Sequence, residues 1–205
     1  MQIKTIPVGE IGANCYIIAN EEIKTALIID PGAEGKKILD AVAELDVQVG
    51  AIIITHGHLD HIGAVGEIKQ ETGAAVLIHA LDAPCLIEPK RNLSFFFGSP
   101  FKTNPADIML EDGQDINLGS LSFKVLHTPG HTVGGVCLSF AGGIITGDTL
   151  FAGSVGRTDF PGGSAEALLK SIKEKILVLP PETVIYPGHG PQSTIAEQLE
   201  NNPYL

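Results

Sequence analysis

The chain has no tryptophan, three cysteines and thirteen basic residues in a length of 205. Each shortage excludes something. With aromatic residues at 5%, an aromatic cage around a cationic ligand is not expected. Cys15, Cys85 and Cys137 are odd in number, widely spaced and form no CxxC pair. A disulfide framework is therefore not expected, and a reducing compartment fits better. Lys and Arg are outnumbered 13 to 24 by Asp and Glu, for a formal charge of −11. An acidic surface repels phosphate backbones, which argues against a nucleic-acid partner. The N-terminal run Met1–Pro7 has no long apolar h-region, and no apolar stretch reaches membrane-spanning length. Neither a signal peptide nor a membrane partner is expected, and the location expected is cytoplasmic. Gly-x-Ser-x-Gly is absent, so no serine nucleophile elbow is predicted.

What is present suits a folded core. Apolar residues make up 44% and charged residues 18%, and the length fits one domain over residues 1–205. Short runs rich in Val, Ile and Leu predict strands at Gln2–Pro7, Cys15–Ala19, Thr25–Asp30, Gly50–Thr55, Ala75–His79, Leu121–Leu126, Gly134–Phe140 and Gly143–Thr146. Helical spacing predicts helices at Gly35–Leu45, Ile62–Thr72, Ser164–Leu177 and Thr194–Glu200. Strands then helices, in two halves, suggest an α/β fold of the αββα type, with helices covering the outer faces of two packed sheets. The pattern alone also allows a doubly wound sheet. Glu88–Asp107 is a long irregular loop carrying Phe95-Phe96-Phe97 and, nearby, Phe101. These rings are expected to be core, with an apolar acyl pocket as the alternative.

The densest chemical signal is Thr55-His56-Gly57-His58-Leu59-Asp60-His61, which follows the apolar run Ala51–Ile54. In an extended segment residues i and i+2 point the same way, so His56 and His58 can grip one ion. Asp60 and His61 follow the turn and can face a second ion. Three further candidates stand beside glycine after predicted strands: Gly130-His131, Gly147-Asp148 and Gly188-His189. Strand ends along one edge would bring all seven to one rim. Imidazole and carboxylate without thiolate suit zinc, iron or manganese in a reactive site. Asp30, in the turn Asp30-Pro31-Gly32, is either a turn residue or the partner that orients a ligating imidazole. His79 and His127 are expected to be structural.

HxHxDH followed by His131, Asp148 and His189 resembles the metallo-β-lactamase-fold hydrolases, and among them the glyoxalase II group, the hydroxyacylglutathione hydrolases. The likeness runs from Asn14-Cys15-Tyr16 to Asn202-Pro203-Tyr204-Leu205 and includes Gly156–Gly163. It implies that fold, with two mixed sheets, and two divalent ions, zinc first with iron or manganese compatible. One ion would rest on His56, His58 and His131, the second on Asp60, His61 and His189, with Asp148 bridging. It implies hydrolysis of a small-molecule thioester, S-D-lactoylglutathione or a related hydroxyacyl thioester, by a hydroxide between the metals. Asp60 would hold that nucleophile as well as ligate.

The lysine that contacts glutathione in the larger enzymes corresponds to Arg157, which would either bind a substrate carboxylate or pair with Asp159. Lys90, Arg91 and Lys102 offer further positive charge in the long loop, with Arg91 taken as a second substrate contact. The larger enzymes also carry a C-terminal helical domain, and here the chain stops 16 residues after His189. Glutathione specificity is therefore in question. The rival readings are a mononuclear-iron persulfide dioxygenase of the same fold, a β-lactamase, and a metal-binding protein without activity. The complete seven-residue set favours two metals and hydrolysis.

Overall fold

The computed structural model describes residues 1–205. Two six-stranded mixed sheets form its centre. The first runs β1 (Gln2–Val8), β2 (Ala13–Asn20), β3 (Thr25–Ile29), β4 (Gln48–Ile53), β5 (Ala75–His79) and β6 (Ile108–Leu110), in that spatial order. β1 to β3 pair antiparallel, and β3 to β6 pair parallel. The second sheet contains β7 (Asp115–Leu118), β8 (Leu121–His127), β9 (Val136–Phe140) and β10 (Gly143–Gly147). A small hairpin, β11 (Leu150–Phe151) and β12 (Ser154–Val155), follows, and β13 (Val184–Pro187) and β14 (Ser193–Thr194) rejoin the second sheet, whose order is β14-β13-β10-β9-β8-β7.

Period-two alternation assigns each strand's faces. On β2, Tyr16 and Ile18 point between the sheets, where they meet Phe123, Val125, Leu138 and Ile145 of the second sheet. Their neighbours Cys15, Ile17 and Ala19 face the other way, onto the helices α1 (Gly35–Glu44) and α3 (Val65–Thr72). Ile144 and Ile185 on the far side of the second sheet pack against α4 (Ala165–Ser171) and α5 (Ile195–Asn201) through Leu168 and Ile195. Helix, sheet, sheet, helix is the expected αββα order. No helix is long and apolar enough to cross a membrane, and all three cysteines are free and buried.

Three local expectations need correction. The helix predicted over Ile62–Thr72 is two helices, the short α2 (Leu59–Ile62) and then α3. The break falls at Gly63-Ala64, where Ala64 N–H donates to Pro31 O at 2.9 Å. A Cβ on Gly63 would lie 2.2 Å from the Gly32 carbonyl. The helix predicted over Ser164–Leu177 is α-helical only to Ser171 and then widens into a π-turn over Ile172–Ile176. Finally, Phe95, Phe96 and Phe97 are not core. They are exposed on a 3₁₀ turn (Ser94–Phe97), with Phe97 at 71%, whereas Phe101 packs on the first helical layer as expected.

Candidate metal centre

Four strand ends and the α2 turn converge on one rim of the sandwich. β4 leads through Ile54-Thr55 into His56, β8 leads to His131, β10 to Asp148 and β13 to His189. Thr55 is pinned by the carboxylate of Asp30 at the end of β3: its N–H donates to Oδ1 at 2.7 Å and its hydroxyl to Oδ2 at 2.5 Å. The same Oδ2 accepts from His61 Nδ1 at 2.9 Å. Asp30 therefore sets the position of the turn and the tautomer of His61, whose Nε2 is left facing the other ligands. At His131 the ring donates from Nδ1 to the Arg157 carbonyl at 2.7 Å, which again leaves Nε2 inward.

The seven expected ligands come together in two groups. His56, His58 and His131 offer three nitrogens within 4.8 Å of one another, and Asp60, His61 and His189 offer a carboxylate oxygen and two nitrogens within the same span. Asp148 stands between them: Oδ2 lies 3.6 Å from His131 Nε2 and 3.7 Å from His189 Nε2, while Oδ1 lies 3.4 Å from His61 Nε2. Asp60 Oδ2 is 3.1 Å from His189 Nε2 and 3.3 Å from His61 Nε2.

The electrostatics of the two groups differ. Burial, reinforced by neighbouring imidazoles, drives His56 well below the usual histidine range and His58 down to about 3. Both present neutral nitrogen lone pairs near neutral pH. At His61 burial acts the same way, but Asp60, Asp148 and Asp30 outweigh it and raise the ring strongly. Burial alone would raise Asp60 and Asp148, and the surrounding histidines hold both below the carboxylate range. This half of the cluster is thus built to surround positive charge.

The residues fit divalent ions. His56 Nε2, His61 Nε2 and Asp148 Oδ1 are buried polar atoms without a hydrogen-bond partner, and all three belong to this cluster. Such atoms are costly unless something satisfies them. Nitrogen and carboxylate donors with no thiolate suit a borderline or hard divalent cation.

Sequence reasoning missed Asp82. This buried carboxylate accepts from Gly57 N–H at 3.0 Å, Thr132 Oγ1–H at 2.7 Å and Gly134 N–H at 2.8 Å. It ties the His56–His58 turn to the loop that carries His131. Its partners stand 25 and about 50 residues away in sequence, so no local motif marks it. His79 and His127 lie outside the cluster and stack on each other, with ring centroids 4.1 Å apart.

Two cavities open at the centre. The larger, about 530 Å³, is walled by Val8, Ile11, Leu93 and Phe97 and floored by Asp60, His131, Asp148 and His189. Asp60 and His189 are 27% and 25% exposed, so the carboxylate-rich group faces the approaching solute. The smaller, about 380 Å³, contains Lys90, Arg91 and Phe96. A groove of about 700 Å³ between β1 and α1 is lined by lysines and carboxylates that pair with one another, Lys4 with Glu44, Lys36 with Asp40 and Lys37 with Glu34. Arg157 lines the larger cavity, but its guanidinium is bound by Asp159 through two contacts of 2.7 Å and lies over the Phe160 ring. Arg91 pairs through Nε with Glu88 at 2.9 Å, and Lys102 does not reach the smaller cavity.

Residues 8–189 match the family model of the metallo-beta-lactamase superfamily. The chain belongs to that superfamily. Two mixed sheets with helices outside are the fold of that superfamily, and the chain is a metallo-hydrolase of it. It is 38% identical to hydroxyacylglutathione hydrolase GloC of Haemophilus influenzae, over 100% of this chain and 98% of that one. Among solved superfamily structures it is 37% identical to BLEG-1 B3 metallo-beta-lactamase, with a TM-score of 0.95 and coverage of 100% and 99%. It is 35% identical to TTHA1623, solved in a di-iron-bound form, with a TM-score of 0.87 and coverage of 98% and 100%.

Proposed function

We propose that the chain is a binuclear metal-dependent thioesterase of the glyoxalase II type, cleaving a hydroxyacyl thioester such as S-D-lactoylglutathione into hydroxy acid and thiol. The observation that carries this reading is the position of Asp148, with one carboxylate oxygen toward His61 and the other toward His131 and His189. A carboxylate so placed would be within reach of cations held by either group. His56, His58 and His131 would hold one, Asp60, His61 and His189 the other, with zinc, iron and manganese all compatible with these donors. Bound there, the ions would bring a water's pKa toward neutrality and polarise the substrate carbonyl.

The protein's own part is orientation. Asp30 and the Arg157 carbonyl fix the rings of His61 and His131. Asp60 faces the larger cavity, where its carboxylate would accept a hydrogen bond from the attacking water or hydroxide while holding its position beside His189. The thiolate is a fair leaving group, so no separate acid is needed. Apolar side chains on the cavity wall receive the acyl group. The similarity to GloC supports the substrate class.

The test is hydrolysis of S-D-lactoylglutathione by metal-quantified protein, with and without chelator. Chelator-sensitive turnover with about two metals per chain is expected. One iron per chain with oxygen uptake on a persulfide and no hydrolysis would replace this reading with the dioxygenase. Likeness to BLEG-1 favours one second reading, a β-lactamase. Turnover of a chromogenic cephalosporin exceeding that of every thioester would establish it. Asp60→Ala is expected to lose turnover by at least roughly 100-fold. Full metal content with full turnover in that variant would remove Asp60 from the mechanism.

A further inference from the structure

The two cavities share His58 but differ in charge. The larger is lined by Glu10 and by Asp60 and Asp148, whose charge the two ions would offset, and its only guanidinium or ammonium group, Arg157, is already occupied by Asp159. Away from the ions, an anionic arm placed there meets Glu10 and no free cation. The smaller is lined by Lys90 and Arg91, with Asp82 as its only acid. The Asp82 carboxylate is committed to three donors from the ligand loops.

The lysine is free in a chain where most cations are not. Lys4, Lys24, Lys36, Lys37, Lys69, Lys124 and Lys175 each sit in an ion pair. Lys90 has no carboxylate partner, and its ammonium rests 5.3 Å from the centre of the Phe95 ring. Arg91 spends Nε on Glu88, and its terminal nitrogens have no partner of their own. Consecutive phenylalanines on the 3₁₀ turn serve the two chambers separately, Phe96 in the smaller and Phe97 in the larger.

We propose that the smaller cavity is a binding site for a carboxylate-bearing arm of the substrate, held by Lys90 and Arg91 while the thioester carbonyl lies at the metal centre beside His58. Leu81, Phe96 and Val133 line the same cavity and cover the aliphatic stem of that arm. The uncharged arm then occupies the larger cavity. The assignment rests on the thioesterase reading and moves anion recognition from Arg157 to the opposite side of the centre. The carboxylate belongs either to the thiol or to the acyl side of the thioester.

Two arms of one experiment separate these sources, using the metal-loaded protein, the K90M/R91M double variant and, as control, K173M, whose lysine is also unpaired but lies on the π-turn after α4. For the thiol side, calorimetry compares S-methylglutathione with its diester. For the acyl side, kcat/KM is compared for succinyl and butanoyl thioesters of the neutral thiol N-acetylcysteamine. In one arm the charged member is expected to be favoured by about tenfold, the scale of one charge-assisted hydrogen bond. That preference falls to near unity in K90M/R91M, persists in K173M and weakens with added salt. No preference in either arm, or a preference that survives the double variant, overturns the proposal. If no thioester turns over, the thioesterase reading fails, and calorimetry still judges whether the cavity takes an anion.

Discussion

Asp30 shows what one side chain does at this centre. Its backbone has φ of 51°, a conformation that Asn shares readily and Ala does not. Its carboxylate holds Thr55 and His61 together. Asp30→Asn therefore separates turn geometry from ring orientation. Asn keeps the turn, but it cannot accept from both His61 and the two Thr55 donors. We expect Asp30→Asn to fold, at a cost of about 1–3 kcal/mol for the buried donor left unsatisfied, and to bind the ion at Asp60, His61 and His189 roughly 10–100-fold more weakly. Competition against a chromophoric chelator reads this directly, and wild-type affinity in Asp30→Asn would leave Asp30 with a turn role only. At this scale the sequence was legible where ligands are contiguous, as in His56–His61. It was illegible at Asp82, where three donors from distant segments meet. It was misleading at Phe95–Phe97, whose hydrophobicity suggested burial although the 3₁₀ turn presents all three to solvent.

Glycines beside the ligands were legible at the scale of elements, but their reasons differ. Gly188, at the end of β13, has no room for a side chain: a Cβ would lie 2.1 Å from Asp148 Oδ1 and 2.9 Å from His61 Cε1. Gly130, by contrast, is pressed by the backbone of Leu168 on α4, not by the ligands. Gly188→Ala is accordingly expected to displace Asp148 and lower metal content from about two to about one per chain, while circular dichroism stays native. Full metal content in that variant would show that the rim relaxes around a methyl group. Helix ends were legible where capping is local. Thr194 begins α5 with a reciprocal capping box to Glu197. Thr194→Ala should cost about 1 kcal/mol and lower the melting midpoint by roughly 2–4 °C without touching turnover. A change in turnover larger than twofold would instead tie α5 to the site. The break at Gly63-Ala64 was hidden, since it depends on Pro31 and Gly32, which are far away in sequence.

The acidic chain, of formal charge −11, turns three of its carboxylates, Asp30, Asp60 and Asp148, onto one fully buried imidazole at the rim. The two sheets meet at this same rim, where Val136 N–H of β9 donates to Thr55 O at 2.8 Å. Layering was suggested by hydrophobic alternation, which is local, but alternation left a doubly wound sheet open and did not give the strand order. The coupling between sheets through the cluster was not legible, because it is made of side chains from both. It predicts that the ions hold the sandwich together as well as supply reactivity. A cation bound by the folded chain and not by the unfolded one adds RT ln(1 + [L]/Kd) to stability, about 2.7 kcal/mol at a hundredfold excess over Kd. For a chain of this size that is a rise in melting midpoint of roughly 5–10 °C. Removing the metal with chelator should lower the midpoint by that amount, and titrating zinc or iron back should restore it with a logarithmic dependence on free metal. Asp148→Asn should shrink the shift, since the shared carboxylate loses its charge. A midpoint indifferent to verified metal loss would mean that the strand ends are held without the ions, by Asp30 and Asp82 alone.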